Sequence, residues 1–348
     1  MRNTVYCGWD IGGAHLKFAC VDAEGDIMSA RQLASPLWKG VDVLTNVLKM
    51  ASEQLPDSEL YHSVTTTAEL VDIFSDRHEG VLRIKRELCH IFNEANCFFY
   101  AGNAGMVPST QIENYTNQIA SSNWHATASY ISRFVKNGIL VDVGSTTTDI
   151  IPFYNKQVLN RGNTDFERMQ SGELVYTGIV RTPVMAIVES VPFKGHWANI
   201  AAENFATMAD IYRLTGELNE IDDMMETADG AGKEVSDSAR RLARMLGTDF
   251  KDSSLLPYWK VTARYITEQQ LIKIQQALLK VLYRMNGIEE TLVVGAGAGR
   301  FVVEKLARRN GLKYMDISTL LKAVETIKND TARCATAVSV AQIMRCNA

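Results

Sequence analysis

Asp10-Ile11-Gly12-Gly13-Ala14-His15-Leu16-Lys17 and Asp142-Val143-Gly144-Ser145-Thr146-Thr147-Thr148-Asp149 are two versions of one corner. The first is entered by an apolar run at 4–9 and left by another at 16–21. The second is entered at 138–143 and left at 147–153. Short apolar, β-branched runs bounded by Gly and Asp read as strands. A turn at 22–26 and a strand at 27–33 follow the first pair, and a short strand at 157–159 follows the second. The order strand, Asp-x-Gly corner, strand, turn, strand therefore occurs twice. This repeat predicts two related lobes. The corners are too short for the crossover helices that parallel neighbours require, so each set is an antiparallel meander and a single doubly wound domain is disfavoured.

Outward from the corners, apolar spacing predicts helices at 41–55, 80–92, 124–134, 201–215, 236–246, 267–283, 301–309 and 331–345. Strands are expected at 61–66, 97–100 and 290–294. The first lobe is read as 1–135 and the second as 136–348, with 101–137 unplaced in this scheme.

The 348 residues, 46% hydrophobic and 22% charged, suffice for two lobes without disulfide or metal staples. A net charge of −4 gives no global drive toward nucleic acid or anionic membrane. Arg240, Arg241 and Arg244 read as a solvated helix face. None of the six cysteines forms a C-x-x-C pair, which fits reduced thiols in a cytoplasmic protein, and Cys89-His90 stands alone as a metal-like pair. Met1-Arg2-Asn3-Thr4 runs straight into the first strand, so no leader is expected. No apolar run approaches the length of a membrane span. The sequence leaves a homo-oligomer open.

Glycines at a strand corner let backbone N–H groups turn toward an anion without a Cβ in the way. An aspartate beside such a corner can hold Mg²⁺, because hard cations prefer oxygen ligands. At the first corner Asp10, Gly12 and Gly13 meet these needs and Lys17 adds a point charge, although an ordinary meander turn explains them as well. At the second, Gly144 lies among Ser145, Thr146, Thr147 and Thr148, between Asp142 and Asp149. Hydroxyls and freed N–H groups suit phosphoryl oxygens, and carboxylates suit a metal or a proton transfer. The plain alternative is a threonine-rich strand. A third stretch, Gly295-Ala296-Gly297-Ala298-Gly299, lies between a strand and a helix, where a ligand can approach the helix N-terminus closely. No acidic residue follows about 20 positions on at a second strand end, so a dinucleotide fingerprint ranks low.

Together the three stretches resemble the two phosphate loops and the adenosine turn of the actin, sugar-kinase and chaperone ATPase superfold, over nearly the whole chain. The second corner looks like its hydantoinase/oxoprolinase form. A narrower resemblance is carried by 8–17, Pro36-Leu37-Trp38-Lys39-Gly40, Thr65-Thr66-Thr67-Ala68-Glu69-Leu70, Ser171-Gly172-Glu173-Leu174-Val175-Tyr176-Thr177-Gly178 and Thr227-Ala228-Asp229-Gly230. These are similar to the MfnF-like family, also described as tetrahydromethanopterin-linked one-carbon-transfer proteins.

The resemblance implies an α/β fold of the actin-like, ribonuclease-H-like type, with duplicated mixed sheets, flanking helices and an interlobe cleft. It implies methanofuran biosynthesis by a transferase. An aminomethyl-furanylmethyl diphosphate would lose diphosphate to the phenol oxygen of a tyramine or tyrosine unit, γ-glutamylated, giving an aryl ether. Asp10 and Asp142 would hold Mg²⁺ with help from Asp149, and the corner residues would hold the phosphates. Glu69, Glu173 and Asp229 are candidate bases. Arg181 suits a phosphate or a glutamyl carboxylate, and His15 could donate to the leaving group. Ala14-His15 stands where many superfamily kinases have threonine, and Gly144-Ser145 where Gly-Gly is common. Both departures favour a diphosphate leaving group over phosphoryl transfer. Two alternatives stand beside this reading. One is an ATP-dependent small-molecule kinase or hydantoinase/oxoprolinase-like enzyme, with ATP at Gly295, Gly297 and Gly299. The other is a non-catalytic nucleotide-binding regulator, for which no helix-turn-helix precedes the first corner.

Overall fold

In the computed structural model, residues 4–285 and 290–347 are described; Met1-Arg2-Asn3, expected to lead into the first strand, lie outside them. The first meander is β1 (Thr4–Ile11), β2 (His15–Asp22) and β3 (Ile27–Ala34). β1 is buried on both faces, as a central strand must be. β4 (Glu59–Thr66) runs parallel to β1, β5 (Cys97–Tyr100) parallel to β4, and β6 (Met106–Pro108) antiparallel to β5. The sheet order is β3-β2-β1-β4-β5-β6.

The second sheet repeats this path. β7 (Asn137–Val143) and β8 (Thr148–Tyr154) form the hairpin; β9 (Gln157–Val158) and β10 (Leu174–Val175) pair with opposite ends of β8. β11 (Ser190–Phe193) and β12 (His196–Asn199) make a separate hairpin. β13 (Leu292–Ala296) lies parallel to β7, and β14 (Lys313–Asp316) parallel to β13. The order β10-β8-β7-β13-β14 matches β3-β2-β1-β4-β5 of the first sheet, with β6 having no counterpart on this path and β9 pairing β8 off it. The expected α/β arrangement of duplicated mixed sheets with flanking helices is present.

A shared core joins the sheets. Tyr6, Ala19 and Val21 from the first meet Leu140, Ile151 and Phe153 from the second, with Val338 and Ala341 of the C-terminal helix between them. Each large apolar side chain so buried contributes about 1.5–3 kcal/mol. Gly8 permits the contact: a Cβ there would lie 1.8 Å from the Ala337 carbonyl oxygen, so only glycine lets the helix rest on β1. The helix Asn123–Ile131 contacts both the C-terminal helix and β8. The unplaced segment thus supplies an edge strand to the first sheet and a helix to the interlobe layer.

Several elements differ from expectation. The helix expected from 201 begins only at Met208, because Thr207 and Asp210 form a capping box and 201–207 is irregular. The helix expected at 267–283 spans Leu256–Leu282, opened by Pro257 in its first turn. The C-terminal helix is two, Lys328–Arg333 and Ala335–Asn347, parted at Cys334. Arg241 is not on a solvated face: it is fully buried against Asp210 and Asp229. All six cysteines are free. No helix among the described residues is long and apolar enough to cross a membrane.

Candidate active site

The two hairpins turn in the same way. Gly12 N–H donates to the His15 carbonyl and Gly144 N–H to the Thr147 carbonyl, each at 2.9 Å. Both tight corners place an aspartate at the end of a buried strand and aim it into a cavity of about 610 Å³ between the lobes. Asp10, Gly12, Gly13 and Lys17 line it from one side. Asp142, Gly144, Ser145, Thr146, Thr147, Asp149 and Arg181 line it from the other. Across the β1–β2 register Asp10 faces Lys17, and Lys17 Nζ lies 3.5 Å from Asp10 Oδ2. Across β7–β8 Asp142 faces Asp149, which is ion-paired to Arg168. The Arg168 guanidinium in turn stacks 4.2 Å from the Trp124 ring centroid.

The remaining candidates are held elsewhere. Thr148 is buried and donates its hydroxyl to the Thr177 carbonyl at 2.7 Å. Glu173 does not line the cavity: its carboxylate accepts from Arg161 N–H at 2.9 Å and Gly162 N–H at 3.1 Å and pairs with Arg284 at 2.9 Å. Asp229 clamps Arg241 and Arg244 at 3.0 and 2.9 Å, also outside the cavity. Both carboxylates are spent on guanidiniums, Glu173 on one 111 residues along the chain and Asp229 on two that lie 12 and 15 residues on. Glu69 lies just behind the cavity wall, between the lining residues Thr67 and Leu70.

The glycine-rich turn supports Asp142 from behind. Gly297 has φ of 79°, and a Cβ there would sit 2.3 Å from Asp142 Oδ1. At Gly299 a Cβ would meet Val143 at 2.5 Å, and at Gly295 it would meet the Tyr314 ring at 2.7 Å. Packing alone therefore asks for all three glycines. A smaller cavity of about 270 Å³ adjoins the turn, where Arg300 and Asp316 pair at 3.0 Å.

A family model described as Hydantoinase/oxoprolinase matches residues 61–336. The chain belongs to the hydantoinase/oxoprolinase family. A curated relative from Methanocaldococcus jannaschii is 33% identical over 294 residues, 83% of this chain and 85% of the relative. It is named (4-{4-[2-(gamma-L-glutamylamino)ethyl]phenoxymethyl}furan-2-yl)methanamine synthase. A protein of the same name from Methanococcus vannielii is 31% identical over 49% of this chain and 76% of that one. The chain is a member of the group these synthases form. Among solved structures, a nucleotide-free acetone carboxylase superposes with TM-score 0.60 at 11% identity, over 98% of this chain and 70% of that chain. That likeness is one of fold.

In this hydantoinase/oxoprolinase member, burial dominates the electrostatics of the cavity. It pushes the Asp142 carboxyl up to about 7, with Asp149 adding to the rise and Lys17 opposing it. It raises Asp10 and Asp149 as well, against the pull of Lys17 and Arg168 respectively. Desolvation works to lower the Lys17 ammonium, but Asp10 and Asp142 outweigh it and the net direction is up. His15 is driven down to about 4 by burial, then by Lys17 and Arg181, so its ring is neutral and no acid for a leaving group.

Several lining residues escaped residue-by-residue reading. Trp38 and Tyr176 line the cavity from within two of the family-like stretches, so the signal was present without a role. Ser121, Asn123 and Thr336 lie outside all motifs; Asn123 and Thr336 reach the cavity from helices of the interlobe layer, and Ser121 from the turn just before the first of them.

Proposed function

We propose that the chain joins an aminomethyl-furanylmethyl diphosphate to the phenol oxygen of γ-glutamyltyramine, releasing diphosphate and forming an aryl ether. One observation carries this reading: two anion-cradling corners face each other across a single cavity, in a chain akin to synthases named for a phenoxymethyl-furan product. The backbone N–H groups and hydroxyls of both corners would bind the diphosphate, and Lys17 would balance part of its charge.

The residues fit one divalent cation. Asp142 is a desolvated carboxylate that faces Asp149 and Asp10 with only Lys17 opposing them. No cluster of three or more His, Cys, Asp or Glu able to hold a metal occurs among the described residues. The pair of corner aspartates suits Mg²⁺, which takes one or two carboxylates and completes its shell with water and phosphate oxygens. Asp10 and Asp142 would hold it, and when bound it would stabilise the charge developing on the diphosphate. Arg181 extends from the second lobe over Trp38 of the first, 5.1 Å from its ring centroid. We assign it the glutamyl carboxylate of the acceptor, which a guanidinium holds bidentately.

The test is purified protein with Mg²⁺, the furan diphosphate and γ-glutamyltyramine, without ATP. Diphosphate release with an ether of the expected mass, lowered at least about 100-fold in Asp10→Asn and Asp142→Asn, is the expected result. ADP formation with a small-molecule acceptor, and no ether without ATP, would favour the kinase reading and give the 270 Å³ cavity beside the glycine turn to the nucleoside.

A further inference from the structure

Ser121 sits in the cavity wall with φ of 53°, a left-handed conformation that side chains rarely adopt. Glu69 holds it there. Ser121 N–H donates to Glu69 Oε1 at 2.8 Å, and Ser121 Oγ donates to the same oxygen at 2.9 Å. Glu69 is 2% exposed and reaches the cavity only through this serine. Its backbone is wedged against the helix Arg77–Ile91, where a Cβ on Gly80 would come within 2.7 Å of Glu69.

The second Glu69 oxygen faces Thr66 Oγ1 at 3.1 Å, and Thr66 Oγ1 is also 3.0 Å from the Ile11 carbonyl. While Glu69 is ionised, the threonine hydroxyl donates to it. Once Glu69 is protonated, the hydroxyl donates to Ile11 and accepts from Glu69. A proton on either oxygen finds an acceptor: on Oε2 it is donated to Thr66 Oγ1, and on Oε1 it is donated back to Ser121 Oγ. Burial pushes Glu69 up to about 7, with its hydrogen bonds opposing the rise. Of the lining carboxylates, Asp165 pairs with Arg77 and Arg168 at 3.8 Å, and Asp72 is exposed to solvent and holds no buried hydroxyl in the cavity wall as Glu69 does. Asp10 and Asp142 face the phosphate side, Asp149 is paired with Arg168, and the His15 ring, with its pKa near 4, is too weak a base for a phenol.

Resting on the ether-forming reading, we propose that Ser121 and Glu69 are a proton relay for the acceptor phenol. Ser121 Oγ takes the phenolic proton as its own hydroxyl proton passes to Glu69 Oε1. An electron pair of the phenolic oxygen forms the new bond to the furanylmethyl carbon. The bond from that carbon to the diphosphate oxygen breaks, and its pair leaves with diphosphate. Glu69 ends as the carboxylic acid and releases its proton to solvent with the product. Ser121 is the catalytic residue and Glu69 acts through it.

The experiment measures kcat against pH for wild type, Ser121→Gly and Glu69→Gln, with γ-glutamyltyramine and with a ring-difluorinated analogue whose phenol ionises at lower pH. Ser121→Gly accepts the positive φ, so it carries the test if Glu69→Gln folds poorly. The relay predicts a wild-type rate that falls below about pH 7. It predicts a loss of roughly 100-fold in both variants at neutral pH, the low end for a missing base. The acid limb should vanish in the variants, and the fluorinated acceptor should recover at least tenfold in them but little in wild type. Equal losses on both acceptors with the acid limb intact would reduce Glu69 to a clamp on a strained turn and overturn the relay. If wild type makes no ether from either acceptor, the ether-forming reading itself fails and the relay falls with it.

Discussion

The β1–β2 and β7–β8 corners have the same backbone and opposite charge logic. Their turns close with matching hydrogen bonds, and each presents an aspartate from the end of its first strand. They part at one register position: Lys17 faces Asp10, whereas Asp149 faces Asp142. In the first lobe the strand pair neutralises itself. In the second it doubles the negative charge, and Arg168 compensates only Asp149. A duplicated scaffold thus keeps two cradles for phosphate while one position sets where an added cation belongs. Asp142 has no ion pair of its own among the described residues, only the more distant Lys17, and is backed by a glycine turn that excludes any side chain behind it.

If that asymmetry matters, the two aspartates are unequal. Asp142→Asn should lower kcat/KM for diphosphate release by roughly 10³-fold, or about 4 kcal/mol, and raise the Mg²⁺ needed for half-activity at least about tenfold. Asp10→Asn frees Lys17 to meet the diphosphate directly, so its loss should be nearer 10²-fold, with a smaller Mg²⁺ shift. Equal losses, or the reverse order, would break the comparison and return the corners to equivalence.

A second contrast concerns the cations. Lys17 and Arg168 are each committed to a carboxylate, while Arg181 lies over Trp38 with its backbone N–H bonded to the Ser145 carbonyl at 2.9 Å. Arg181→Ala should raise KM for γ-glutamyltyramine about 10- to 100-fold, as expected for a lost charge-assisted pair. Tyramine lacking the glutamyl group should be used equally well by both proteins, and KM for the furan diphosphate should not move. A change in the diphosphate KM would place Arg181 with the phosphate loops instead.

What the sequence made legible follows from range. The meanders and their corners depend on alternation and turn chemistry within a few residues. The facing of Asp10 by Lys17 follows from the tight hairpin that fixes register. The fate of the other carboxylates depends on distant partners. Glu173, Glu69 and Asp229 looked alike in sequence, each beside a turn. One meets Arg284, one meets Ser121, and one meets Arg241 and Arg244. Nothing local announces which turn will find a guanidinium and which will find only a serine at a cavity. The glycine turn is ambiguous for a related reason, since its spacing suits a ligand and a close-packed neighbouring strand equally well. The same holds at 201–207, where small apolar residues continue a helical pattern past the Thr207 cap that ends it.

The charge comparison also predicts a stability effect that needs no substrate. In metal-free protein the Asp142 carboxyl lies at about 7, raised first by burial and then by Asp149. An unfolded aspartate titrates near 3.9. Between about pH 4 and pH 7 the folded state therefore binds more protons than the unfolded chain, and stability falls as pH rises through that window and levels off above it. Asp142→Asn removes the penalty. Its melting temperature should match wild type near pH 4 and exceed it above pH 7, with a gain of up to about 4 kcal/mol, a figure that already includes the attraction of Lys17. Mg²⁺ with diphosphate should then narrow the gap, because ligands that bind only the folded wild type restore stability in proportion to the logarithm of their concentration over Kd. The same pair of melts on Asp10→Asn should show a smaller gain, since Lys17 already faces that carboxylate. A gain independent of pH in either variant would mean that a packing change, not relief of a buried charge, explains it.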